Sequence, residues 1–215
     1  MTQILSETLL TPESSLVIIL DYQHHVVEGI RSTDHALIEL NARALTRAAK
    51  AVKIPIILST IGVRLRGDQP TLPSIRQEIP DVPEYDRATM NAWEDQPFRA
   101  AVETTGRRRL IFAGIWTEVC LLYPVLHAQR DGFETYFIVD AVGGATTLAQ
   151  DMAIKRMIQA GSQPLTLNSL ITEWIRDWDK SPHGNAVAEH LKWYAPEIEK
   201  VRAAMKKASF EPVAI

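Results

Sequence analysis

Thiols are nearly absent from this chain: its 215 residues include a single cysteine, Cys120. One thiol excludes an internal disulfide framework and cannot build a thiolate metal site. No purely apolar run approaches the roughly 20 residues needed to cross a bilayer. The formal net charge is only −3, which gives no electrostatic reason to expect nucleic acid or an anionic membrane as partner. The first residues (Met1, Thr2, Gln3, Ile4, Leu5) lack a basic start followed by an apolar core, so no signal peptide is expected and the cytoplasm is the expected location. Also missing is the Gly-x-Gly-x-x-Gly turn of dinucleotide-binding folds. After the first strand-like run the chain reads Asp21, Tyr22, Gln23, His24, His25, Val26, which argues against a nucleotide-dependent oxidoreductase.

What is present is ordinary for a globular protein, with 46% hydrophobic and 23% charged residues. The length suits one sizeable domain over 1–215, with a core at about 12–170 and a tryptophan-rich helical tail at about 171–215. Residues 16–20 form a continuous aliphatic run, the mark of a strand buried on both faces. Helical spacing follows over 34–52, with Asp34 as a possible cap, and then a second strand at 56–60. Further strands are expected at 110–113, 135–139 and near 164–167. Helices are expected around 98–105, from about 120 to 131 and from about 148 to 160. Strands alternating with helices predict a three-layer α/β/α sandwich around a mostly parallel, doubly wound sheet. Residues 62–97 break this rhythm. They hold five of the twelve prolines and read as a long functional loop or lid.

Ligands of such sheets bind outside the carboxyl ends of the strands. Asp21, the 62–97 loop and Cys120 all lie at or just past those ends. A lone cysteine is most often a small buried hydrophobe. Position favours a nucleophile here, because Pro124 cannot donate to the Cys120 carbonyl and so places a helix start near the thiol. Helix-start N–H groups would lower the thiol pKa and could hold an oxyanion. Asp21 reads either as a cap or as a general base. His24 and His25 lack the acidic neighbours of a metal site. Asn91 and Trp93 could supply an amide and an aromatic wall to a small-molecule pocket. Trp174 and Trp178, four residues apart, predict either a core-facing helical stripe or, together with Trp193, a subunit interface.

Three segments carry a family resemblance: Asp21-Tyr22-Gln23, the run from Arg87 to Asp95 (Arg-Ala-Thr-Met-Asn-Ala-Trp-Glu-Asp), and the run from Ala113 to Cys120 (Ala-Gly-Ile-Trp-Thr-Glu-Val-Cys). Together they resemble the isochorismatase-like cysteine hydrolases, in particular the YcaC-type subgroup, over roughly residues 12–170. The resemblance implies an Asp–Lys–Cys triad and a cis peptide at Ile115–Trp116. Asp21 would be the base, Cys120 the nucleophile, and the N–H groups of Trp116 and Cys120 the oxyanion donors. Gln23, Asn91, Trp93, Trp116 and Thr117 would bind substrate. Arg87 stands where the family carries lysine, and arginine can act only as a fixed positive charge. The metal-binding members need histidines that residues 62–76 lack, so neither metal nor cofactor is expected. The activity implied is hydrolysis of a small amide through a thioester, by a homo-oligomer that is a dimer or higher, with an octamer among the options. The rival is a small-molecule binder or thiol redox sensor on the same fold.

Overall fold

The computed structural model describes residues 8–210. In chain order the elements are β1 (Ser15–Leu20), α1 (His24–Val27), α2 (His35–Ala51), β2 (Ile56–Ile61), α3 (Val63–Arg66), α4 (Pro73–Arg76), β3 (Glu84–Arg87) and α5 (Gln96–Thr104). They continue with β4 (Arg109–Gly114), α6 (Leu122–Arg130), β5 (Glu134–Ile138), α7 (Thr147–Gln159), β6 (Gln163–Leu165), α8 (Leu167–Ile175) and α9 (Gly184–Phe210). Asp34 does cap α2, its carboxylate accepting from Leu37 N.

All six strands run parallel in the order β3-β2-β1-β4-β5-β6. β1 is fully buried and shows why the molecule has three layers. Its side chains alternate across the sheet, so Val17 and Ile19 join one core with residues of α2, α8 and α9. Leu16, Ile18 and Leu20 join a second core with Phe98, Val102, Val125 and Met157 from the helices on the opposite face. The strand order reverses between β1 and β4, where doubly wound sheets open a crevice at their carboxyl ends. No helix among the described residues is long and apolar enough to cross a membrane.

Two sequence expectations are corrected and one is refined. The 62–97 segment is not one long loop: it contains α3, α4, the edge strand β3 and a short 3-10 turn at Ala92–Glu94. β3 escapes notice because it has four residues and buries only Arg87, leaving no apolar alternation to read. The helix after β4 does begin near the cysteine, as expected, but through an irregular turn. One π-helical turn, Thr117–Leu121, precedes α6, and Leu121 N reaches back five residues to Trp116 O at 3.3 Å. Trp174 and Trp178 do not share a helical face, since α8 ends at Ile175 and Arg176 takes a left-handed φ of 51°. Trp174 is buried in the core, whereas Trp178 is 55% exposed.

Candidate active site

The switch point brings together three of the residues singled out in the sequence, Asp21, Arg87 and Cys120. Asp21 leaves β1 with φ 63°, a left-handed conformation that aspartate tolerates better than most residues, and its carboxylate is wholly buried. Arg87 ends β3, two strands away. Adjacent strands lie about 4.8 Å apart, so a side chain from β3 must span roughly 10 Å to reach the end of β1. Arginine is long enough. Its Nη1 donates to Ser59 Oγ at 3.2 Å and Thr60 O at 3.0 Å as it passes the end of β2. Nη1 and Nη2 then donate to Asp21 Oδ1 and Oδ2, both at 2.6 Å, a two-fold contact sealed from solvent. Its Nε makes no hydrogen bond.

Cys120, 7% exposed, sits in the π-helical turn within hydrogen-bonding reach of the Asp21 carboxylate and the Trp116 backbone N–H. Burial pushes the thiol pKa far up, and the Asp21 charge and hydrogen bond raise it further. Arg87 and the Trp116 N–H oppose this only in part. A helix start alone would shift the thiol the other way, but desolvation and a carboxylate in contact outweigh the turn's N–H groups. Burial and the neighbouring carboxylate thus favour the thiol over the thiolate.

The peptide Ile115–Trp116 is cis, as the family resemblance implied. Trp116 is held by Nε1 donating to Val26 O at 2.7 Å, and its ring lies over Gly29, where a Cβ would come within 2.2 Å of a ring carbon. Trp116, Val26, Ile61 and Val119 wall a cavity of about 300 Å³ that Cys120 also lines, and the exposed residues His25, Arg66 and Met90 border it.

The remaining expected binding residues face other tasks. The Gln23 amide braces the chain after β2, accepting from Ile61 N at 2.9 Å and donating to Ile61 O and Gln69 O. Asn91 caps the 3-10 turn through Trp93 N and contacts His127 Nδ1 at 2.9 Å. Trp93 packs edge-on against Phe133 and donates to Asp131. Thr117 is buried, its N–H donating to Gly143 O at 2.9 Å. None of these four lines the cavity beside Cys120. Sequence reasoning missed His25, Arg66 and Met90 as its border. The rule that strand carboxyl ends form the site could have found Arg66, which follows β2 within one short turn. Among the described residues no group of three or more His, Cys, Asp or Glu could hold a metal ion.

Residues 15–169 match the isochorismatase domain. The chain is 32% identical over 188 residues to the probable hydrolase YcaC of Escherichia coli, covering 86% of this chain and 90% of that one. The solved structure of E. coli YcaC, described as an octameric hydrolase of unknown specificity, superposes with a TM-score of 0.82 at 29% identity, covering 93% and 97% of the two chains. YcaC of Pseudomonas aeruginosa, solved with hexane-2,5-diol and covalent acrylamide, gives a TM-score of 0.79 at 30% identity, covering 90% and 96%. A domain match over most of the chain, with these relatives sharing its sheet, makes this protein a member of the isochorismatase family of hydrolases.

Proposed function

We propose that the protein cleaves the C–N bond of a small amide by covalent catalysis at Cys120. The observation that carries this reading is a thiol in contact with a buried carboxylate, opening onto a small cavity. Because the resting group is a thiol, deprotonation accompanies attack: Asp21 takes the S–H proton as sulfur bonds to the carbonyl carbon. The backbone N–H groups of Trp116 and Cys120 hold the oxyanion. Collapse breaks the C–N bond, and Asp21 returns its proton to the leaving nitrogen. Water then attacks the thioester and gives a proton to Asp21. The C–S bond breaks, and sulfur recovers the proton. Arg87 keeps its charge throughout, so Asp21 alone carries protons in this scheme.

The rival is a thiol redox sensor on the same fold; burial disfavours the thiolate that either reading needs, so ammonia release is what separates them. The P. aeruginosa relative was solved with covalent acrylamide, which suggests acrylamide as a probe for Cys120 here. The octameric E. coli relative supports a homo-oligomer here too. The test is ammonia release from a panel of small amides, with intact mass reporting an acyl adduct. Cys120→Ala should lose at least about 10³-fold in turnover. Full turnover in that variant would sink the reading.

A further inference from the structure

The border of the cavity carries charges that cancel one another. Arg66 ends α3, which two left-handed glycines bracket, Gly62 at φ 79° and Gly67 at φ 71°. Its guanidinium donates to Asp68 Oδ2, from Nε at 2.7 Å and from Nη2 at 2.5 Å, and the same oxygen lies 3.5 Å from His25 Nε2. Gly62 leaves room for this pair. A Cβ there would come within 2.5 Å of Arg66 and 2.6 Å of Asp68, so the backbone is bare where the two side chains meet. Deeper in, Asp21 and Arg87 satisfy each other in the same way. Between the two pairs the walls are Val26, Ile61, Trp116 and Val119. A charged acyl group entering this space would give up water for hydrocarbon and meet an arginine already occupied.

We propose that Asp68 sets the charge preference of the pocket, and that the substrate is an uncharged amide with a short aliphatic or small aromatic acyl group. The proposal rests on the amide-hydrolase reading above. Asp68 acts at a distance from the reacting atoms: by pairing with Arg66 it removes the positive charge that would otherwise recruit a carboxylate. The Arg66–Asp68 pair is partly exposed, and such pairs are weak, so the preference is a finite ratio and not an absolute bar.

The test compares hexanamide with the monoamide of adipic acid, which has the same chain length and a terminal carboxylate. The wild-type protein should favour hexanamide by about tenfold or more in kcat/KM. Asp68→Asn should move that ratio toward the monoamide by roughly tenfold, mostly through KM, while Asp68→Glu restores it. Arg66→Gln, which leaves Asp68 unneutralised, should move the ratio the opposite way. A purely structural role for Asp68 would depress both substrates together and leave the ratio unchanged, and that result overturns the proposal. So does a wild-type preference for the monoamide. A second arm needs no turnover: each amide is used to protect Cys120 from alkylation by acrylamide, read by intact mass. If no ammonia is released but hexanamide protects better than the monoamide, and Asp68→Asn narrows the gap, the hydrolase reading fails and the role of Asp68 stands. If both amides are hydrolysed without charge preference, the role of Asp68 fails and the hydrolase reading stands.

Discussion

Two buried ionisable clusters in this molecule resolve the same problem in opposite ways. At the strand ends, Asp21 and Arg87 are both sealed from water and both engaged, each carboxylate oxygen accepting from one guanidinium nitrogen. Between α2 and α9, His190 is only 2% exposed and neither ring nitrogen has a hydrogen-bond partner. Its ring stacks on Tyr194 at 6.0 Å and tilts against Trp193 at 5.7 Å. Burial lowers its pKa to about 4, Arg47 adds to the effect, and Glu78 offsets part of it. Low dielectric alone does not decide whether a side chain keeps its charge; a partner of fitting geometry does.

Breaking the first cluster should have the largest effect. Arg87→Met fills similar space without the charge and leaves a buried carboxylate unpaired, so denaturant unfolding should show a loss of about 3–5 kcal/mol. A loss under about 1 kcal/mol would mean that the pair contributes little beyond its own desolvation. The second cluster should respond to pH. The unfolded chain binds the His190 proton near pH 6.5 and the folded protein only near pH 4, so stability is complete above about 6.5 and falls as pH drops toward 4. The full loss approaches about 3 kcal/mol. Measured against His190→Phe, which keeps a neutral ring, wild-type protein should show the steeper decline across that window; parallel curves would refute the assignment. The smallest effect concerns the guanidinium groups beside the histidine. Arg43 and Arg47 lie 4.9 and 4.8 Å from the centroid of the Trp193 ring. Replacing that half-buried ring in Trp193→Leu should cost about 1 kcal/mol in thermal or chemical unfolding.

Much of the first cluster could be read in the sequence, and little of the second. A fully apolar strand ending in Asp21 and a thiol just after another strand are local patterns, and the carboxyl-end rule joins them without coordinates. Arg87 was visible as a residue type in a recognisable motif. Its strand was not, because four polar edge residues carry no period. Asn91 and Trp93 show the converse. Their types suit a pocket, but neither lines the cavity beside Cys120: Asn91 caps the 3-10 turn at Ala92–Glu94, and the Trp93 ring packs on Phe133. His190 gives no sequence signal, because its isolation depends on how α9 lies across α2.

The sequence by itself determined the alternation of strands and helices, the parallel three-layer class, and the family to which Asp21 and Cys120 belong. Burial periodicity and short motifs are encoded in neighbouring residues. The tertiary structure decided that Arg87 reaches across β2 to both oxygens of Asp21, that Cys120 is buried beside that carboxylate, and that Arg66, paired with Asp68, borders the cavity. Each of these depends on the order of strands in the sheet and on desolvation among residues far apart in the chain, and neither is a property of any local segment.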